Sequence, residues 1–213
     1  MVKQLLTPRA LRSALPAASF IVLLVAIFQI QPRAMSYFGM NLMLQYAVPI
    51  ALATIAQMFV IAINDLDLSI GPFVGLTASI GATMLTDTPL LGLLALAGCV
   101  AAYAALGALI HWRNLPSIVV TLGMSFVWLG VAVIILPTPG GTAPGWIKAI
   151  MGVKLPYVPF PIVAAAIIAV VVHVLLMRSA YGAVLRGAGG NARAIGRAGW
   201  SLLKIRMMMY AAA

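Results

Sequence analysis

Charge in this chain is confined to short segments between long apolar runs, and that arrangement constrains the fold more than any other feature. No Asp, Glu, Lys or Arg occurs within residues 13–30, 40–63, 68–85, 89–112, 116–136 or 161–177. A helix needs about 20 apolar residues to cross a ~30 Å hydrocarbon core, and one charge at its centre costs roughly 2.5–3.5 kcal/mol. The runs therefore read as six complete spans plus the start of a seventh. The first is Ser13–Ile30, the second Met40–Ile63 and the third Leu68–Leu85. A fourth is opened by Thr88 as cap with Pro89 at its first position, and continues to Trp112. The fifth is Pro116–Leu136; the sixth is introduced by Pro156, Pro159 and Pro161 and ends near Met177. Ser201–Ala213 has the character of a seventh span cut short.

Composition agrees. Of 213 residues, 64% are hydrophobic and 8% charged, too few to coat a water-soluble fold, so lipid is the solvent for much of the surface. The expected fold is all-α: a polytopic transmembrane helical bundle forming one domain over residues 1–213, incomplete at its C-terminus, with no separate soluble domain. Lys3, Arg9 and Arg12 followed by an apolar run have the layout of a secretory signal, but the spans that follow favour an uncleaved first helix. Pro137, Pro139, Gly140, Gly141, Pro144 and Gly145 break the chain after the fifth span, and Trp146, Ile147, Ile150 and Met151 then form a short apolar face suited to the membrane surface.

Orientation follows from the cations. With the N-terminus in the cytoplasm, the inner segments hold Lys3, Arg9, Arg12, Arg113, Arg178, Arg186, Arg193, Arg197, Lys204 and Arg206, and the outer ones only Arg33, Lys148 and Lys154. That asymmetry obeys the positive-inside rule.

Several function classes are excluded. The net charge of +10 sits in loops that meet lipid headgroups, without the interleaved aromatics of a nucleic-acid surface. Cys99 is a lone cysteine in an apolar run, so neither a disulfide within the chain nor a thiolate cluster is available. His111 and His173 lie near helix ends, as interfacial anchors do. There is no nucleophile–base set, phosphate loop or metal motif, so no catalytic residue and no metal site is expected, and energy must come from another subunit.

Two segments carry more information. Asn64-Asp-Leu-Asp67-Leu-Ser69-Ile-Gly71-Pro places two carboxylates between apolar spans. Asp67 is expected to cap the third helix by accepting from the Ser69 or Ile70 N–H, and Asp65 to pair with a nearby cation. Gly71, Gly75 and Ser79 then place small residues four apart on one helix face, as do Ala97, Ala101 and Ala105, the pattern of close helix packing in lipid.

Asp67-Leu-Ser-Ile-Gly71 resembles the Asp-Leu-Ser-Val-Gly signature of the ribose- and xylose-type ABC importer permeases. Leu115-Pro116-Ser-Ile-Val-Val-Thr121-Leu-Gly123 is similar to their Pro-Phe-Ile-Val-Thr-Leu-Gly segment. Ser179-Ala-Tyr181-Gly182 followed by Gly189-Gly190-Asn191 resembles their Thr-x-x-Gly…Gly-Gly-Asn loop, and Gly152-Val-Lys-Leu-Pro156 resembles a Gly-Ile-Pro element before the sixth span. The four matches are collinear.

The resemblance implies a multi-pass permease subunit of the bacterial inner membrane that imports simple sugars. Its implied partners are an ABC ATPase carrying ATP and Mg, a periplasmic substrate-binding protein, and a second permease copy, identical or paralogous. No cofactor is expected on this chain. Residues 178–200 would be a cytoplasmic coupling loop, with Gly187, Gly189 and Gly190 as hinges, then Asn191, then Arg193 and Ala194 in a short helix from Ala192 to Ala198, and Gly199 ending it. The family places an acid where this chain has Arg193, and a glycine pair where it has Asn64-Asp65. The alternative reading, a secondary transporter or channel, calls for ionisable residues inside the spans; those here hold only polar amides and His173.

Overall fold

The computed structural model describes residues 8–153, 158 and 160–213. Lys3, Lys154, Pro156 and Pro159, and so part of the Gly152–Pro156 element, lie outside the described residues. Every regular element among those described is helical. In chain order these are α1 (Pro8–Ile30), α2 (Tyr37–Ala62), α3 (Ile70–Ala82), α4 (Met84–Asp87), α5 (Pro89–Arg113), α6 (Ser117–Ile135), α7 (Gly145–Met151), α8 (Phe160–His173), α9 (Ala180–Gly190), α10 (Ala192–Arg197) and α11 (Leu202–Ala212). The chain divides into two compact units, residues 1–46 and 47–213, with the boundary inside α2.

In the first unit, α1 is followed by a 3-10 turn, Pro32–Met35. The Ser36 hydroxyl donates to the Arg33 carbonyl and accepts from the Gly39 N–H at 3.1 Å, which satisfies an amide of the first turn of α2.

Three helices, α2, α5 and α6, are each long and apolar enough to cross a membrane. The other apolar runs are interrupted. The run expected as one third span is α3, only 13 residues, and then a break at Thr83 (φ −121°, ψ −80°) before α4. Hydroxyls bond back along the helix at this point: Ser79 Oγ donates to Gly75 O at 2.9 Å and Thr83 Oγ1 to Ser79 O at 2.7 Å, bonds that favour bending. Thr86 Oγ1 then donates to Thr142 O at 2.6 Å, and the Thr142 N–H to Ala82 O at 3.1 Å, fastening the Pro- and Gly-rich stretch to this break. Thr88 is the N-cap of α5 with Pro89 first inside, but its hydroxyl makes no cap bond; it donates back to Met84 O.

The run Ile162–Arg178 is long enough to count as a span only together with α9, from which it is bent by 71°. Val174–Arg178 is a π turn, and the Ser179 Oγ starts α9 by accepting from the Gly182 N–H at 2.8 Å. Gly182 is what lets α9 fold back here, since a Cβ would collide with the Leu175 and Leu176 carbonyls. The segment read as a basic loop with glycine hinges is therefore helical. Gly187, Gly189 and Gly190 lie inside α9 rather than at a flexible joint.

The core of the second unit joins Val60, Leu76, Ile80, Tyr103, Leu106, Ile110, Trp128, Leu176, Leu185, Ile205, Met209 and Tyr210. Phe73 lies 4.1 Å from Tyr103 and 5.4 Å from Trp128 between ring centroids. The α5–α11 contact is close because Gly107 faces the Arg206 carbonyl and the Tyr210 ring, where a Cβ would sit at 3.0 Å from each. Many large apolar side chains point outward instead, among them Leu90, Phe126, Ile134 and Val170, as a lipid-facing surface requires.

Candidate functional site

The connection between α2 and α3 is the most polar buried region of the second unit. It opens with a Schellman turn: Asn64 takes the left-handed conformation (φ 62°), its N–H donates to Ile61 O at 2.9 Å, and the Asp65 N–H donates to Val60 O at 3.2 Å. From there burial alternates. Asp65, Asp67 and Ser69 are buried while Leu66 and Leu68 are exposed, the period of an extended segment with its polar face inward and its apolar face outward.

Asp65, Asp67 and Ser69 each meet a polar neighbour, although Asp67 Oδ2 is buried without a hydrogen-bond partner among the described residues. Asp65 is 8% exposed and meets the Arg206 guanidinium on α11, with Nε to Oδ2 at 3.0 Å and Nη2 donating to Oδ1 at 3.2 Å. Burial pushes the Asp65 carboxyl above its ordinary range, and the Arg206 charge pulls the other way without cancelling it. Asp67 Oδ1 accepts from both the N–H and the hydroxyl of Ser69, each at 2.7 Å, just ahead of α3. The Ser69 hydroxyl also lies 2.9 Å from the Tyr103 hydroxyl on α5. Two carboxylates against one guanidinium leave a net negative charge, which the positive end of α3 offsets.

The outward backbone of the connection is held by α6. Ser117 Oγ accepts from the Leu66 N–H and Thr121 Oγ1 from the Leu68 N–H, both at 3.1 Å. Ser69→Ala is expected to cost about 1–3 kcal/mol, since it strips a fully buried hydroxyl from both Asp67 and Tyr103. Ser117→Ala should cost less, because its bond to the Leu66 N–H is exposed. Thermal midpoints of the purified protein in detergent compare the two.

The segment after the bend reaches this connection. Gly189 in α9 lies flush on the backbone of Ala62, Ile63 and Asn64, so that a Cβ would collide with the Ala62 carbonyl. Beside it is a cleft lined by Ile63, His111, Ala188, Ala192, Ile205 and Arg206. Gly190 has open space around it. Asn191 Oδ1 accepts from the Ala194 N–H at 3.1 Å and starts α10, on which Arg193 is exposed. Gly199 (φ 87°) ends α10, with the Trp200 N–H donating to Ile195 O at 3.2 Å.

The structure thus gathers Asp65, Asp67, Ser69 and Gly189 at one junction, together with Arg206, Tyr103, Ser117 and Thr121, which the sequence reading did not single out. A signal for the last two existed: Ser117, Thr121 and Ser125 put hydroxyls four apart on one face of an otherwise apolar helix. Gly71 and Gly75 are not part of it. Open space surrounds both, so their face, expected to pack tightly, is not buried against this chain's own described helices. His173 is exposed at the end of α8.

The arrangement ties backbone and charge together at a joint between helices. No curated protein and no solved structure matches the chain. The model of one family, described as the permease component of branched-chain amino acid transport systems, matches residues 39–213, which include the whole junction. The chain belongs to that permease family and is a membrane component of an ABC transporter rather than an enzyme.

Proposed function

We propose that this chain is a translocation-forming subunit of an ATP-driven importer, carrying a small solute, a monosaccharide, delivered by a periplasmic binding protein. The family match over residues 39–213 is the observation that carries the reading. The collinear segments at Asp67–Gly71, Leu115–Gly123 and Ser179–Asn191 favour a simple sugar within that family. ATP and Mg belong to a separate ATPase subunit, docked on the end of α9 and on α10 through Gly190, Asn191, Arg193, Ala194 and Gly199, while Gly189 of the same coupling segment faces inward onto the α2–α3 connection. A second permease copy, identical or paralogous, completes the pathway, and the unfilled face of Gly71 and Gly75 is available to it.

In this reading the protein lies in the bacterial inner membrane with its N-terminus in the cytoplasm. Six crossings are supplied by α2, α5 and α6 together with α1, α3 with α4, and α8 with its π turn. Ten cations against three support that orientation.

Two measurements test it. In a Cys99→Ala background, Arg193→Cys should react with an impermeant maleimide in inverted vesicles and not in intact cells. Labelling from the periplasmic side would sink both topology and importer. In proteoliposomes with the ATPase and binding protein, uptake of labelled ribose or xylose should require ATP. ATP-driven leucine uptake with no pentose uptake would keep the importer and overturn the sugar.

A further inference from the structure

On the importer reading above, we infer that Gly189 is the point at which movement of the ATPase-docked segment enters the membrane core. It presses on the Ala62–Asn64 backbone, and Asp65 passes the displacement to Arg206 on α11.

Three observations build the path. First, α9 and α10 are packed together: a Cβ on Gly187 would meet the Ile195 side chain, and Asn191 closes the short gap between the helices with its cap. Second, this piece touches the α2–α3 connection backbone to backbone at Gly189, with no side chain between to absorb a push. Third, the surface it meets is stiff. Asn64 is fixed in a left-handed turn by two backbone bonds, and the next residue is tied to α11 through the Asp65–Arg206 ion pair. Packed cores transmit displacement of this kind because they do not deform continuously. Leu185 is buried and Val184 and Ala188 pack beside it, so α9 stays seated as it moves.

Gly189 is a positioning residue in this scheme. An added methyl there lifts α9 off the connection without touching the exposed surface of α10. Gly130, on α6 with open space around it, is the control.

The experiment uses the full complex of permease, ATPase and binding protein in proteoliposomes. For Gly189→Ala, the ATPase should still co-purify and hydrolyse ATP, while solute uptake per ATP falls about tenfold. Gly130→Ala should stay within about twofold of wild type. In wild type, hydrogen exchange of residues 62–69 and 189–199 should change together when the ATPase is trapped with vanadate; in Gly189→Ala only the second segment should respond. Normal uptake per ATP in Gly189→Ala overturns the inference. So does a wild-type complex in which 189–199 responds to trapping and 62–69 does not, a result that stands even if the variant fails to fold. Loss of the importer reading looks different: no ATPase co-purifies with the wild-type chain, and the inference falls with it.

Discussion

Replacing Arg206 by alanine is expected to lower the stability of the chain by about 3 kcal/mol near neutral pH, and by less in acid. The guanidinium stands 3.0 Å from a carboxylate that is 8% exposed, and its removal leaves that charge buried and unpaired. The pH dependence follows from the direction of the Asp65 shift. Burial raises this carboxyl above its unfolded value even with Arg206 present, so the folded chain holds the proton more tightly than the unfolded one. The stability this adds is complete below the unfolded carboxyl range, near ~3.9, and drains away as pH rises through the raised folded value. Without Arg206 the folded value climbs further. The deficit of Arg206→Ala against wild type should therefore shrink as pH falls from 8 to about 5, since protonated Asp65 needs no counter-charge. Thermal midpoints across that range decide it. A deficit constant with pH would mean the arginine acts by packing alone. Asp65→Asn with Arg206→Ala should recover most of the loss at the upper end, because no lone charge remains.

Tyr103→Ala is expected to cost a similar amount, about 3 kcal/mol, by a different route. The ring is 2% exposed and lies 4.1 Å from Phe73, 6.1 Å from Trp128 and 6.4 Å from Tyr210 between centroids. In a membrane no hydrophobic transfer term drives helix association, so the loss comes from dispersion contacts and the cavity left among α3, α5, α6 and α11. Tyr103→Phe separates ring from hydroxyl. Ser69 keeps its bond to Asp67 Oδ1, so this variant should lose only about 1 kcal/mol. Denaturation midpoints of the two variants in one detergent check the ratio; equal losses would place the energy in the hydroxyl instead.

Hydropathy made the long uninterrupted spans legible. Met40–Ile63, Pro89–Trp112 and Pro116–Leu136 correspond to α2, α5 and α6 within a few residues, because apolar length and charge exclusion are one-dimensional properties. It missed the break at Thr83, where Ser79 and Thr83 hydroxyls bond back to their own helix, a local geometry that a hydropathy window averages away. It also missed the helicity of α9, whose glycines read as hinges although Gly182, Gly187 and Gly189 each answer to a neighbour that the sequence does not reveal. At the junction, the Ser69–Asp67 bond was legible because it spans two residues. The identity of the cation was not: Arg206 lies 141 residues from Asp65, one of several arginines on that stretch of chain.

The grip of α6 on the Leu66 and Leu68 amides has a geometric consequence. Four residues of helix rise about 6 Å, and two residues of extended chain about 6.6 Å, so Ser117 and Thr121 meet the alternate Leu66 and Leu68 amides almost in step. The match does not continue to a third rung: Ser125 turns its hydroxyl back to Leu122 O, where the neighbouring chain has already wound into α3. Two scales that coincide at only two marks behave as a vernier. Sliding α6 by even one residue would misplace both acceptors at once, so this helix and the strap before α3 shift as a single body or not at all.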